Sequence, residues 1–189
     1  MLKHLKEYAI EYRVPIICDE GLDFLKEVIN KHDVRSVLEI GCAIGYSALF
    51  MSSLNCQVTT FERNAKMIEQ AKKNFDLYDQ KQSIRLIEED ALLYNQNLNQ
   101  NFDLIFIDAA KAQYKKFFEK YQSYLSKDGV IVCDNLAFHH LDKTKVNRNT
   151  RQLIGKLEKF IEYLKNHDEF ETTFYDVGDG MSISRRKTL

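Results

Sequence analysis

Nothing in the 189-residue sequence approaches the length of a membrane span: the longest apolar runs, such as 104–107 and 130–133, are strand-sized, against the ~20 residues a bilayer requires. The start, residues 1–14, mixes apolar positions with Lys, His, Glu and Arg and lacks the unbroken apolar centre of a secretory signal, so a cytoplasmic protein with no membrane partner is expected. The four cysteines (Cys18, Cys42, Cys56, Cys133) form no C-x-x-C pair and have no histidine at metal-finger spacing. Three of them adjoin apolar strand-like segments, where a thiol behaves as a small hydrophobe. Neither sign of charge dominates, with 27 basic against 28 acidic residues, so global charge neither demands nor excludes a nucleic acid. Low-complexity tracts, linkers and internal repeats are also missing, which leaves a single domain over 1–189.

What is present is alternation. Helix-like segments at 2–13 and 20–31 flank the only proline, Pro15. Strand-like Ser36–Ile40, Gln57–Phe61, 83–87, 103–107 and 129–133 then alternate with helix-like 46–54, Ala65–Tyr78, 113–125 and 150–166. In Ala65–Tyr78 the apolar Met67, Ile68, Ala71, Phe75 and Tyr78 fall near helical spacing. Two more strands, 171–176 and 181–185, are joined by Gly178-Asp179-Gly180, a hairpin signal. Such a succession specifies an α/β fold around a largely parallel sheet.

The first strand runs into Glu39-Ile40-Gly41-Cys42-Ala43-Ile44-Gly45-Tyr46-Ser47. A glycine turn between a first strand and a helix lets a ligand approach the backbone. Ala43 and Tyr46 occupy places where the dinucleotide fingerprint G-x-G-x-x-G has glycine, which disfavours a pyrophosphate and counts against a nicotinamide-dependent dehydrogenase. Glu39, at the strand end, suits a cationic group such as an amino acid's amine. Glu62 ends the second strand where Rossmann folds place an acid against ribose hydroxyls, and Asp90-Ala91 ends the third, beside an adenine ring's expected place. Acids at the ends of three successive strands converge on one crevice, which favours a nucleoside cofactor.

Asp108 ends the fourth strand and Asp134-Asn135 the fifth. Neighbouring strands would carry these two carboxylates and one amide oxygen to one sheet edge, a set of hard oxygens suited to Mg²⁺, Mn²⁺ or Ca²⁺. A helix cap at Asp108 and a plain turn at Asp134-Asn135 are the structural alternatives. Lys111, one short turn beyond Asp108, is a candidate general base, because a nearby cation and a closed crevice both disfavour its ammonium form.

The run 39–47, Phe102-Asp-Leu-Ile-Phe-Ile-Asp-Ala-Ala-Lys111 and Asp128-Gly-Val-Ile-Val-Cys-Asp-Asn135 resembles the cation-dependent O-methyltransferase family, which includes catechol and caffeoyl-CoA enzymes. Val14-Pro15-Ile16, Glu62-Arg63-Asn64, Lys111-Ala-Gln-Tyr114 and Val177-Gly-Asp-Gly180 are similar to its bacterial branch of tRNA 5-hydroxyuridine methyltransferases. The resemblance implies a Rossmann-like, class I S-adenosylmethionine-dependent methyltransferase fold, with seven mostly parallel strands and the last one antiparallel. It further implies that Asp108, Asp134 and Asn135 hold the metal and that Lys111 is the base. Ile17, Ser47, Glu62, Asp90, Ala91 and Asp108 would line the S-adenosyl-L-methionine site, with Glu39 and Gly41 beneath the methionine end. It also implies a homodimer, for which Tyr8, Ile10, Val14 and Ile17 are candidate contacts or core residues; the segment before the first helix is shorter than in most relatives.

Lys143, Lys145, Arg148, Arg151 and Lys156 lie in a span, 143–156, that contains no acid. With Arg185, Arg186 and Lys187 they are expected to form a basic rim beside the crevice. Such a rim suits the phosphates of a single-stranded RNA loop. The substrate expected from this and from the resemblance is a tRNA anticodon loop carrying 5-hydroxyuridine at the wobble position. A catechol-like small acceptor and a catalytically silent RNA-binding module are the rival readings.

Overall fold

The computed structural model describes residues 1–137 and 146–188. Its seven strands are β1 (Ser36–Ile40), β2 (Gln57–Phe61), β3 (Ile84–Ile87), β4 (Phe102–Ile107), β5 (Leu125–Cys133), β6 (Phe170–Tyr175) and β7 (Met181–Arg186). They form one sheet in the order β3-β2-β1-β4-β5-β7-β6. β1 to β5 pair in parallel, and β7 runs antiparallel to both β5 and β6. This is the α/β sheet expected from the sequence.

Among the described residues six α-helices cover the sheet: α1 (Leu2–Tyr12), α2 (Asp19–Lys31), α3 (Tyr46–Ser53), α4 (Ala65–Tyr78), α5 (Tyr114–Tyr121) and α6 (Arg148–Lys165). Among the described residues no helix is long and apolar enough to cross a membrane. Side chains alternate across each strand, so the sheet feeds two cores. Val37, Val58, Leu104, Phe106, Val130 and Val132 pack with α1, α2 and α3, and α4 adds Met67 and Phe75. Leu38, Ile40, Phe61, Ile105, Ile107 and Ile131 face the other way, against Phe117, Phe118 and Tyr121 of α5 and Leu157, Phe160 and Leu164 of α6. Continuous apolar strands are what two covered faces require. Three cysteines (Cys42, Cys56, Cys133) are buried and all four are free thiols, with Cys18 half-buried. Val14 and Ile17 go into the core, whereas Ile10 remains exposed on α1 beside exposed Tyr12.

Two boundaries differ from the sequence reading by more than two residues. The helix expected over 113–125 is α5 flanked by 3₁₀ turns, Lys111–Gln113 and Gln122–Tyr124. β5 starts at Leu125, earlier than expected, and its register with β4 shifts: Phe102 pairs with Leu125, but Leu104 pairs with Val130. Gly129 sits in this irregular stretch, where a Cβ would come within 2.9 Å of the Asp103 carbonyl.

The sheet order reverses between β1 and β4, and the loops leaving β1, β2, β4 and β5 all emerge at one edge. Open α/β sheets bind ligands at this switch point.

Candidate active site

A cavity of about 420 Å³ opens at that edge. Ile17, Gly41, Ser47, Glu62, Asp90, Ala91, Asp108, Lys111 and Asn135 all line it, so the structure brings together most residues singled out from the sequence. Its floor depends on Gly41. Gly41 has φ +107, and a Cβ there would lie 2.1 Å from the Asp108 carbonyl oxygen. Only glycine allows the β1 loop to press this closely on the β4 loop. Ala43 also adopts a left-handed conformation (φ 47), an uncommon state for a residue with a side chain.

One half of the cavity wall is fully tied. Glu62 accepts hydrogen bonds from the Ala43 N–H (2.8 Å) through one oxygen and from the Arg63 and Asn64 N–H groups (2.9 and 2.8 Å) through the other. Asp90 accepts from the Leu92 N–H (2.8 Å) and the Arg63 guanidinium (2.7 Å). Burial alone would push the Asp90 carboxyl up, but the Leu92 amide and Arg63 together hold it below the ordinary range. Glu39 is not part of the wall. It lies fully buried beneath it, accepting hydrogen bonds from the hydroxyls of Ser47 and Thr60. Burial raises its carboxyl to about 7, against the lowering effect of those two hydroxyls and with Glu62 adding repulsion. Of the three, Ser47 is the one that reaches the cavity.

The other half is crowded with acid. The Asn135 amide donates to Asp108 (3.2 Å), Lys111 Nζ donates to Asn135 Oδ1 (2.8 Å), and the Asn135 N–H donates to Asp134 (2.6 Å). Asn135 has φ 61, a conformation asparagine tolerates better than most residues. Tyr114, buried on α5, donates to the Asp134 carbonyl (3.0 Å) and so fixes this turn from below. Burial, then Asp134, then Glu39 push the Asp108 carboxyl to about 7. Burial raises Asp134 to about 6, with Asp179 adding to it and the Asn135 N–H opposing.

Asp179 was legible in the sequence only as the middle of a hairpin turn. It lines the cavity because the β6–β7 hairpin tip is bonded to the turn after β5: Leu136 N–H donates to Gly180 O (2.9 Å) and Ala137 N–H to Asp179 O (2.8 Å). A Cβ on Gly180 would lie 2.7 Å from Ala137 N. An acid between two glycines in a turn following the last helix was the available signal.

The donor chemistry fits a divalent cation. Among the described residues no group of three His, Cys, Asp or Glu side chains forms a metal site; a third oxygen beside Asp108 and Asp134 would have to come from the Asn135 amide, whose oxygen accepts from Lys111 in this structure. Two neighbouring carboxylates whose pKa values are both raised are the setting in which a hard cation is favoured.

The basic rim is corrected in part. Because β7 is antiparallel, its chain leaves the crevice edge as it proceeds: Ser182 pairs with Cys133, but Arg185 pairs with Val130 and Arg186 with Phe170. Arg185, Arg186 and Lys187 therefore lie at the opposite end of the sheet from the cavity, where Arg186 bonds the Gln122 carbonyl (2.7 Å) and Lys187 the His167 carbonyl (2.8 Å). Arg148 and Arg151 are exposed on the first turn of α6, which packs against the Lys111–Gln113 turn. Lys143 and Lys145 lie outside the described residues.

A doubly wound sheet with a glycine turn after β1, acids after β2 and β3, and an oxygen-donor cluster after β4 and β5 is the framework of a Rossmann-like methyltransferase. The O-methyltransferase family model matches residues 1–187, and the chain belongs to that family. It is similar to a Staphylococcus aureus protein named provisionally as a caffeoyl-CoA O-methyltransferase: 39% identity, 98% of this chain and 92% of the other covered, TM-score 0.93. The SAH-bound methyltransferase PaMTH1 of Podospora anserina shares 28% identity over 90% of this chain and 80% of its own, with a TM-score of 0.76. A caffeoyl-CoA O-methyltransferase of Populus kitakamiensis is 24% identical over 96% of this chain and 82% of its own.

Proposed function

We propose that this chain transfers the methyl group of S-adenosyl-L-methionine to a hydroxyl oxygen, assisted by a divalent cation. The observation that carries the reading is the junction of two unlike clusters at one cavity: the tied Glu62–Asp90 wall, and Asp108 and Asn135 with Asp134, which does not line the cavity, buried behind them and bonded to the Asn135 N–H. Glu62 and Asp90 would hold the ribose and adenine side of the cofactor. Ser47, steadied by Glu39, and the Gly41 turn would border its methionine end. When bound, the cofactor would supply an electrophilic methyl group for transfer from its sulfur to the acceptor oxygen. Asp108, Asp134 and Asn135 would hold Mg²⁺ or a similar ion, which supplies Lewis acidity that favours ionisation of the acceptor hydroxyl. Lys111, on the same floor, is assigned the proton from that hydroxyl, with water as the alternative acceptor. Holding donor and acceptor side by side supplies much of the acceleration.

For the acceptor we propose 5-hydroxyuridine at the wobble position of tRNA. Its support is the motif resemblance and the exposed Arg148 and Arg151 at the start of α6, a helix that packs against the Lys111–Gln113 turn; there they would suit phosphates of an anticodon loop. A phenolic or catechol-like acceptor is the second reading, favoured by the names of the caffeoyl-CoA relatives. Self-pairing belongs to the same proposal, with exposed Ile10 and Tyr12 as the apolar surface a second copy would cover; sedimentation of the wild type against Ile10→Asp tests it. The acceptor test is methyl transfer from labelled S-adenosyl-L-methionine, with Mg²⁺ or a chelator, to tRNA lacking the modification and to a simple catechol. Label in tRNA that vanishes with chelator is expected. Label in the catechol alone would replace the RNA acceptor with a phenol, and chelator-resistant transfer would remove the cation.

A further inference from the structure

The adenine-side wall contains a segment too short to hold itself. Residues 90–94 form a single helical turn: the N–H groups of Leu93 and Tyr94 both donate to the Asp90 carbonyl (2.9 and 3.0 Å), and the Asp90 side chain caps the Leu92 N–H. One isolated turn is unstable in water, since nucleation fixes several residues for very few bonds. Its carbonyl end points at no further turn, and such carbonyls carry partial negative charge in need of donors.

Those donors come from α5. Lys120 Nζ donates to three carbonyls of this turn, those of Ala91 (2.7 Å), Leu92 (2.9 Å) and Tyr94 (2.5 Å). The Tyr121 hydroxyl donates to the Ala91 carbonyl as well (2.7 Å). Tyr94 is anchored below by an edge contact with Phe61, ring centroids 5.0 Å apart. Asp90, Ala91 and Leu92 line the cavity, while Lys120 and Tyr121 do not. A three-donor ammonium is the side chain best matched to three converging carbonyls.

We infer that Lys120, with Tyr121, is a positioning residue for cofactor recognition: it fixes the Asp90–Leu92 wall from behind and thereby sets affinity for the nucleoside half of the ligand. This rests on the S-adenosyl-L-methionine reading above. Its test is the affinity of S-adenosylhomocysteine, by calorimetry, for wild type, Lys120→Met, Lys120→Arg and Tyr121→Phe. Lys120→Met keeps the apolar stem and removes all three donors; loss of such charged hydrogen bonds is expected to weaken binding about tenfold. Lys120→Arg restores charge and is expected to fall between it and wild type. Tyr121→Phe removes one donor and is expected to weaken binding about threefold, which also covers the case of Lys120→Met failing to fold. In turnover, the KM for S-adenosyl-L-methionine rises while kcat at saturation and the acceptor KM stay near wild type. A lower melting temperature with unchanged affinity, or an equal loss in kcat and both KM values, would overturn the inference and leave Lys120 a structural residue. A wild type that fails to bind S-adenosylhomocysteine would instead strike the cofactor reading itself.

Discussion

The two halves of the cavity treat acids in opposite ways. After β2 and β3, Glu62 and Asp90 are matched by three backbone N–H groups, a fourth from Leu92 and the Arg63 guanidinium. After β4 and β5, half-buried Asp108 and buried Asp134 lie close to each other and to Asp179, and both carboxyls rise, to about 7 and about 6. Asp90, by contrast, falls below its ordinary range. A site whose acids are already satisfied is preorganised for neutral hydroxyls and amines, because nothing has to be rearranged when the ligand arrives. A site whose acids repel one another stores an affinity for positive charge. One half is built as a finished wall, the other as a socket.

The comparison is broken most severely by emptying the socket. Asp108→Asn keeps the size of the side chain and removes its charge. Loss of a carboxylate that would hold the cation is expected to cost at least about a hundredfold in methyl transfer. S-adenosylhomocysteine affinity should change little, since the tied wall is untouched. Mg²⁺ should raise the melting temperature of the wild type and not of the variant, because a ligand stabilises only the folded state that binds it. Full activity of Asp108→Asn in the presence of chelator would end the account of this half as a cation socket.

Glu39 lies beneath the wall and tests what a buried acid held by two hydroxyls costs. Its carboxyl is raised from 4.5 to about 7 by burial, partly offset by Ser47 and Thr60. Below pH 4.5 it is protonated in folded and unfolded chains alike and adds no pH dependence. Between 4.5 and 7 the folded protein retains the proton that the unfolded chain has lost, so stability falls as pH rises through this window. The full loss is roughly 3 kcal/mol, from the width of the window at 1.36 kcal/mol per unit. Glu39→Gln should reduce that slope, leaving the part that Asp108 and Asp134 contribute over the same window, measured as the difference in denaturant midpoints between pH 4.5 and 8. An unchanged slope would show that the pH dependence resides elsewhere.

The tied wall is challenged by Glu62→Gln. Its carboxylate accepts from N–H donors on both oxygens, whereas a glutamine offers one oxygen and turns an NH₂ toward the remaining donors. Leaving a donor unmatched costs about 1–3 kcal/mol, so S-adenosylhomocysteine binding should weaken about tenfold or somewhat more. The effect should appear in cofactor KM and leave the Mg²⁺-induced rise in melting temperature intact. A loss of that rise would mean that the two halves are not separable.

How far the sequence disclosed this division follows from what each feature depends on. β1, β2 and α4 match the sequence reading at both ends, because strand and helix periods in buried segments are dictated locally by two covered faces. Asp108, Asp134 and Asn135 were legible because strand ends in a parallel sheet share one edge. Asp179 and Lys120 were not. Asp179 reaches the cavity only through the pairing of the hairpin tip with residues 136–137, and Lys120 through packing of α5 beside the 90–94 turn, neither of which leaves a local periodicity. The misplaced basic trio at 185–187 had a subtler cause: an antiparallel β7 was expected, and its direction carries those residues away from the crevice.

The smallest test concerns the loop between the two halves. Ala43 stands where the dinucleotide pattern has glycine, yet it adopts φ 47 and directs its N–H at Glu62. A Cβ in the left-handed region costs roughly 1–2 kcal/mol, and that cost is sustained here by the Glu62 hydrogen bond. Glycine would remove the strain but add conformational freedom to the unfolded chain, worth about 0.5–1 kcal/mol in the other direction. Ala43→Gly is therefore expected to raise stability by no more than about 1 kcal/mol, or about 2–4 °C in melting temperature for a chain of this size, with methyl transfer unchanged. A clear fall in melting temperature would mean that the alanine methyl contributes packing that outweighs its strain. In that case the missing glycine is part of how the wall is made rigid, and the wall owes its preorganisation to the side chain as well as to the carboxylate of Glu62.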